Sequence, residues 1–284
     1  IGYIITQNAF LPIKKIRSAA EKINAGNDLS QRINLGEGTD EIYTLANTFD
    51  TMFDRLQSSF EREAQFTSDV SHELRTPVSI IISECEYGLE NLTSIENARN
   101  TISSVLDETK KMSKLISQLL TLSRMDRGNQ KLNFDKINIS EMAHLIADSQ
   151  QHNADSKNIK IHSEIEEDIF IVGDETMIMR IFVNLISNAV NYGYENGNIW
   201  IKLSQDKNFA ICKIIDDGIG IEKENIPKIW GRFYQVESSR TTENIGLGLS
   251  MVKWIIEAHK GEIYAESEIG KGSSFIFKLK KERK

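Results

Sequence analysis

Apolar residues in the first half of the chain recur at helical spacing. Ile42, Leu45, Phe49, Met52, Leu56 and Phe60 step by three or four residues, a heptad-like seam with one slip. The seam continues through Phe66, Val70, Leu74 and Ile81, which predicts one very long helix over residues 40–87 whose stripe needs a partner. Gly88 to Asn97 reads as a weak break. A second amphipathic run carries Ile102, Val105, Met112, Leu115, Leu119 and Leu122 and ends at Arg127-Gly128, a basic last turn followed by glycine. Two antiparallel helices make half a core, so pairing with a second copy into a four-helix bundle, and hence a homodimer, is expected. Upstream, Pro12 opens a shorter helix with Ile13, Ile16, Ala20 and Ile23, and Gly26-Asn27-Asp28 ends it. A connector with Leu29, Ile33 and Leu35 then leads to Asp40-Glu41-Ile42, a layout that also suits half of a dimeric bundle.

From about residue 130 the periodicity changes. Helices are predicted at 140–155, at 174–192 (opened by Asp174 as N-cap) and at 248–259. Short strands rich in Ile and aromatics are predicted near 158–164, 168–172, 198–204, 209–215, 262–267 and 273–280. The expected fold class is therefore multidomain: an all-α dimeric helical bundle, then an α+β sandwich with helices on one face of a sheet.

Composition agrees. Only Pro12, Pro77 and Pro227 occur in 284 residues, five of 17 glycines precede residue 128, and Trp200, Trp230 and Trp254 all follow it. That skew suits long helices followed by a turn-rich domain. A net charge of −7 argues against nucleic acid as a partner. Cys85 and Cys212 stand outside any CxxC spacing, against a zinc site or disulfide framework and in keeping with a reducing cytoplasm. No stretch approaches the roughly 20 apolar residues that span a bilayer. The start, Ile1-Gly2-Tyr3-Ile4-Ile5 with Lys14, Lys15 and Arg17 following, leaves two readings open. It is either the cytoplasmic end of a transmembrane helix, with positive charge inside, or a beginning within a buried strand or helix.

Four segments carry chemistry. Ser71-His72-Glu73-Leu74-Arg75-Thr76-Pro77 lies inside the long helix, and the seam places His72 outward. Neutral imidazole is a nucleophile towards phosphorus, and Glu73 beside it is a candidate base for the other ring nitrogen's proton. Thr76, four residues on, shares the face of His72. Pro77 cannot donate to the carbonyl of Glu73 and should bend the helix as a functional hinge. Asn184, Asn188 and Asn191 put three carboxamides on one helix face, suited either to a ligand such as Mg²⁺ or to a plain polar surface.

Asp216-Asp217-Gly218-Ile219-Gly220-Ile221 follows an apolar strand. A carboxylate there can accept a hydrogen bond from an exocyclic amine such as adenine's, or the segment is an ordinary Asp-Gly turn. Gly246-Leu247-Gly248-Leu249-Ser250 opens a helix and offers free amides to phosphate, without the spacing of a P-loop or of GxGxxG. Residues 222–245 lack strong periodicity and read as a lid over a nucleotide.

In this order the motifs resemble those of sensor histidine kinases of two-component systems, in the class with HisKA-type dimerisation. SHELRTP at 71–77 is similar to the family's H box, NLISNAVNY at 184–192 to its N box, and DDGIGI at 216–221 to its first glycine box. GRFYQ at 231–235 is similar to the F box, GLGLS at 246–250 to the second glycine box and GKGSSFIF at 270–277 to the closing strand. Residues 1–60, with Pro12 and Asp40-Glu41, resemble a HAMP relay. The resemblance implies four parts: 1–10 as the remnant of a transmembrane helix end, 11–60 as a HAMP-like relay, 61–129 as the dimerisation and phosphotransfer domain, and 130–284 as an ATP-binding domain of the GHKL (Bergerat) fold.

It also implies roles. His72 is the phospho-acceptor, Glu73 its base, and Thr76 serves a reverse phosphatase step. Asn188 holds Mg²⁺ and Asp216 the adenine amine, while Gly218, Gly220, Gly246 and Gly248 serve the lid and phosphates. Asn184, Asn191, Tyr192, Phe233, Leu247 and Leu249 complete the ATP-binding set. The family usually has lysine where Asn191 stands, and a glycine pair where this chain has Thr242-Glu243-Asn244-Ile245; Arg240 is the candidate for the missing charge. The implied protein is the cytoplasmic portion of a bacterial cell-membrane protein, a homodimer whose His72 phosphate passes to an aspartate of a response regulator. Rival readings are a GHKL ATPase of the chaperone or topoisomerase kind, a nucleotide-binding scaffold, and a sensor acting mainly as a phosphatase.

Overall fold

Helix α1, Glu41–Asn91, runs through Pro77, and this stretch of the chain is as helical as its apolar spacing predicts. The computed structural model describes residues 14, 17, 18, 21, 30–36, 38, 41–91, 94–126, 131–236 and 246–282. The apolar start, most of the helix predicted from Pro12, Gly26-Asn27-Asp28, Leu29, Asp40, Arg127-Gly128, Arg240 and residues 242–245 lie outside these. The chain forms two compact units, residues 1–75 and 76–284.

In the first unit the connector packs on α1. Ile33, Ala46 and Phe53 form a small buried core, with Leu35 and Phe49 against it. The Asp50 carboxylate accepts hydrogen bonds from the backbone N–H groups of Ile33 (2.7 Å) and Asn34 (3.0 Å). Arg32 donates to Asp54 (2.8 Å) and Gln57 (2.7 Å). The covered face is thus Ala46, Phe49 and Phe53, which shares Phe49 with the predicted seam but is otherwise one residue on from it; Leu45, Met52, Leu56 and Phe60 stay exposed.

In the second unit, α2 spans Ile95–Asp126. The break expected between Gly88 and Asn97 falls between the end of α1 at Asn91 and the start of α2 at Ile95, and Gly88 itself lies in the last turn of α1. A Cβ there would meet Thr101 Cγ2 at 3.1 Å, so glycine permits close approach of the two helices. One face of α2 is buried through Leu115, Leu122 and Met125, while Ile102, Leu106, Ile116 and Leu120 are exposed on another.

The remaining elements alternate in the predicted texture. They are β1 (Asp135–Asn138), α3 (Ile139–Asp155), β2 (Lys160–Ile165), β3 (Phe170–Gly173), α4 (Glu175–Tyr192), β4 (Asn198–Gln205), β5 (Phe209–Asp216), α5 (Gly248–Ala258), β6 (Glu262–Glu268) and β7 (Gly272–Lys280). Strands β2-β4-β5-β7-β6 form one sheet, parallel at β2/β4 and antiparallel elsewhere. Every second residue faces the helices: Ile199, Ile201 and Leu203 on β4, Ala210, Cys212 and Ile214 on β5, Phe275, Phe277 and Leu279 on β7 are buried. Against them lie Ile178, Ile181, Phe182 and Leu185 of α4 and Val252, Ile255 and Ile256 of α5, with Phe182 edge-on to Phe277 at 5.5 Å. This is the expected α+β sandwich.

Strand β1 escapes sequence reading because Asp-Lys-Ile-Asn has no apolar alternation. It pairs with β3 in a separate two-stranded sheet. Its last residue, Asn138, caps α3 by accepting from Ser140 N and Glu141 N. Asp174 caps α4 as predicted, accepting from Met177 N (3.0 Å), while its other oxygen accepts from Asn133 N (3.0 Å).

Candidate functional site

Strand β5 ends by carrying Asp216 into the interior, where it is 5% exposed. Its Oδ1 accepts from the backbone N–H groups of Gly218 (3.0 Å) and Ser273 (3.2 Å). No described hydrogen bond reaches Oδ2. Burial pushes this carboxyl up to about 6; the two backbone donors pull the other way, and the neighbouring Asp217 carboxylate adds a smaller upward push. Asp217 points elsewhere and accepts from both the backbone and side-chain nitrogens of Asn198, fixing the start of β4.

Asp216 faces a cleft of ≈ 370 Å³ walled by Ile219, Ile221, Ile229, Leu249 and Phe275, an apolar slot with one buried carboxylate; Glu222, the other acid of its lining, is exposed. A second cleft of ≈ 480 Å³ adjoins it, since Asn188, Tyr192, Ile229, Tyr234 and Leu249 line both. The second is framed by Asn184 and Arg180 of α4, by Gly246, Leu247 and Gly248, and by Lys114, Gln118 and Thr121 of α2. Asn188 therefore stands at the junction of an apolar and a polar chamber. At the start of α5, Leu247 supplies no side-chain cap, so the first-turn amides keep no side-chain acceptor.

Two of the expected site glycines combine a left-handed backbone with no room for a Cβ. Gly220 has φ +71°, and a Cβ would fall 2.1 Å from Glu268 O. Gly246, also at φ +71°, backs onto the main chain of Phe233, where a Cβ would lie 2.7 Å from the carbonyl carbon. Phe233 itself sits at φ +57°, a conformation costly for a bulky side chain. The chain thus leaves at Phe233 and returns at Gly246 at one point.

The other expected residues divide. Gly218 packs against Tyr192 O, and its amide serves Asp216. Asn184 donates to Arg180 O (2.8 Å), and its Oδ1 would lie 3.0 Å from a Cβ at Gly248, which couples α4 to the start of α5. Asn191 and Phe233 line neither cleft. His72, Glu73 and Thr76 are exposed on α1, His72 outward as expected, and Pro77 is buried. Sequence reading missed Ser273, whose amide holds Asp216, and Lys157. The Lys157 ammonium donates to the carbonyls of Val190 (3.0 Å) and Asn191 (2.7 Å) and caps the end of α4. No local pattern marks a lysine that caps a helix 34 residues away.

Family comparisons cover the same regions. Residues 5–58 match the HAMP domain, residues 62–128 the His Kinase A (phospho-acceptor) domain, and residues 173–283 the histidine kinase-, DNA gyrase B- and HSP90-like ATPase family. The chain belongs to the two-component sensor histidine kinases. Among curated sensor histidine kinases it is similar to YclK of Bacillus subtilis (strain 168), 32% identical over 98% of this chain and 60% of that protein. The probable sensor protein PcoS of Escherichia coli is 31% identical over 99% of this chain and 59% of its own length. The chain thus spans about three-fifths of these relatives. Two solved kinase structures share the fold. The Acinetobacter baumannii histidine kinase AdeS has TM-score 0.63 and 24% identity, covering 75% of this chain and 98% of that one. Histidine kinase ThkA in complex with response regulator protein TrrA has TM-score 0.64 and 23% identity, covering 87% and 68%.

Proposed function

We propose that this sensor histidine kinase binds ATP in the paired clefts, phosphorylates His72, and passes the phosphoryl group to an aspartate of a response regulator. The observation that carries the reading is Asp216: a buried carboxylate with one oxygen open in an apolar slot that joins a polar chamber at Asn188. A flat base with an exocyclic amine suits the slot, with Oδ2 accepting from the amine. The triphosphate then lies towards the uncapped start of α5, where free amides and the helix dipole favour anions. Among the described residues no cluster of three or more His, Cys, Asp or Glu is placed to hold a metal. Asn188, at the junction of the two clefts, would hold Mg²⁺ by its carboxamide together with phosphate oxygens, and the ion would neutralise charge on the transferring group.

In the transfer, an imidazole nitrogen of His72 forms a bond to the γ-phosphorus as the bond to the β,γ-bridging oxygen breaks and ADP leaves. Glu73 takes the proton from the other ring nitrogen. Thr76 positions water for the reverse, phosphatase step. Residues 11–60 act as a relay, 61–129 as the dimerisation and phosphotransfer domain, and 130–284 as the ATP-binding domain. The remaining length of the relatives leaves room for a membrane-tethered sensor, with this chain as its cytoplasmic portion. No described helix is long and apolar enough to cross a membrane. The structure of ThkA with a response regulator supports the partner class.

The test is incubation of the full chain with γ-labelled ATP and Mg²⁺. Acid-labile, alkali-stable protein phosphate is expected, and His72→Ala abolishes it. No label in the wild type, or full label in the variant, overturns the kinase reading.

A further inference from the structure

The polar chamber has a wall that the ATP-binding motifs do not supply. Lys114, Ser117, Gln118 and Thr121 of bundle helix α2 line it opposite Asn184, Asn188 and Gly248. Arg180, one turn before Asn184, reaches across, with its Nη1 3.5 Å from Thr121 Oγ1. Lys114 and Arg180 are the two cations in this lining, and neither has a carboxylate partner among the described residues. The sequence explains why. Lys110 and Lys111 pair with Asp107 and Glu108 one turn back, but the helical neighbours of Lys114 are Lys110, Lys111, Ser117 and Gln118. Arg180 has Thr176, Met177, Val183 and Asn184 at the same spacings.

Gln118 adds a further observation. Its Oε1 is buried in the chamber wall without a hydrogen-bond partner. Turning the carboxamide over presents an NH₂ donor at the same place. Two cations without carboxylate partners, an unsatisfied amide and an uncapped helix start therefore surround one chamber. That combination fits a polyanion that touches α2 and α4 at once.

We propose that Lys114, with Arg180, contacts the terminal phosphate of the nucleotide, so that a nucleoside triphosphate bridges bundle helix α2 to the ATP domain and a diphosphate bridges it less. Lys114 is then a positioning and specificity residue that distinguishes ATP from ADP from outside the ATP-binding motifs. The inference rests on the proposal that ATP binds in the paired clefts. It supplies a cation for the phosphate end of a chain that has Asn191 where lysine is usual.

Calorimetric titration of the full chain with Mg²⁺-ADP and with a non-hydrolysable Mg²⁺-ATP analogue tests it. Lys114→Gln should weaken the triphosphate analogue about tenfold, the size of one charge-assisted hydrogen bond in a solvated cleft, and ADP less than about twofold. Arg180→Gln should show the same bias, and Lys114→Arg should restore most of the loss. Equal weakening of both nucleotides, or no change in either, overturns the proposal while leaving the ATP site standing. Failure of the wild type to bind either nucleotide brings down the underlying reading and this one with it. Lys114 is exposed, so its substitution leaves the fold intact.

Discussion

Asp216 is held in a state that costs stability. Its carboxyl titrates near pH 6 against an ordinary 3.8, so the folded chain binds this proton more readily than the unfolded one. The stabilising contribution of the protonated carboxyl is therefore complete below about pH 4 and is lost as pH rises through 6. The difference is on the order of 3 kcal/mol. Asp216→Asn should therefore raise the denaturation midpoint at pH 8 in the absence of nucleotide, with about a third of that gain at pH 4.5. Fluorescence of Trp200, Trp230 and Trp254 reports on this region. Binding runs the other way. ADP affinity of the wild type should fall roughly tenfold per pH unit below 6 as the acceptor is protonated, whereas the Asn variant binds weakly at every pH. The Asp-Asp-Gly motif was legible in the sequence, but the division of labour between its acids was not. Adjacent residues on a strand end face opposite sides, and only the partners, Ser273 for one and Asn198 for the other, separate pocket from scaffold.

At the scale of elements, periodicity predicted both long helices and most of the strands. What it left open is which neighbour covers which position. The seam of α1 reads as a uniform stripe, yet the connector chooses Ala46, Phe49 and Phe53, and Asp50 fastens that choice by accepting two backbone N–H groups. A 3.5-residue pattern contains no information about a polar residue beside it that ties down a distant segment. Asp50→Ala should release the connector. Hydrogen exchange at the amides of Ile33 and Asn34 should quicken by about tenfold or more, reflecting about 1–3 kcal/mol per lost carboxylate acceptor. Unchanged protection would show that apolar packing alone holds the connector. The short β1 and the capping role of Lys157 were illegible for the same reason: their partners lie far along the chain and their own sequence is polar.

For the whole molecule, the feature that composition could not weigh is how much apolar helix surface one chain leaves open. Leu45, Met52, Leu56 and Phe60 on α1, and Ile102, Leu106, Ile116 and Leu120 on α2, remain exposed at helical spacing. A second copy of the chain is the proposed cover, consistent with the bundle expected from the sequence. Leu106→Lys with Leu120→Lys should convert a dimer to a monomer in sedimentation, with ADP affinity unaltered because neither residue lines the clefts. A persistent dimer would place the interface elsewhere.

The meeting of Gly246 with the main chain of Phe233 has a consequence for how such proteins diversify. Once the two ends of a segment are pinned at a single point, its length becomes nearly neutral to the rest of the fold, since doubling a closed loop costs only about 0.6 kcal/mol. Residues 237–245 can therefore lengthen, shorten or change composition without disturbing the sheet, the helices or Asp216, while Tyr234, Gln235 and Val236 stay as part of the cleft lining. This segment is the part of the domain that evolution, or an engineer, can exchange as a cassette, with Gly246 and the left-handed Phe233 as its fixed joints.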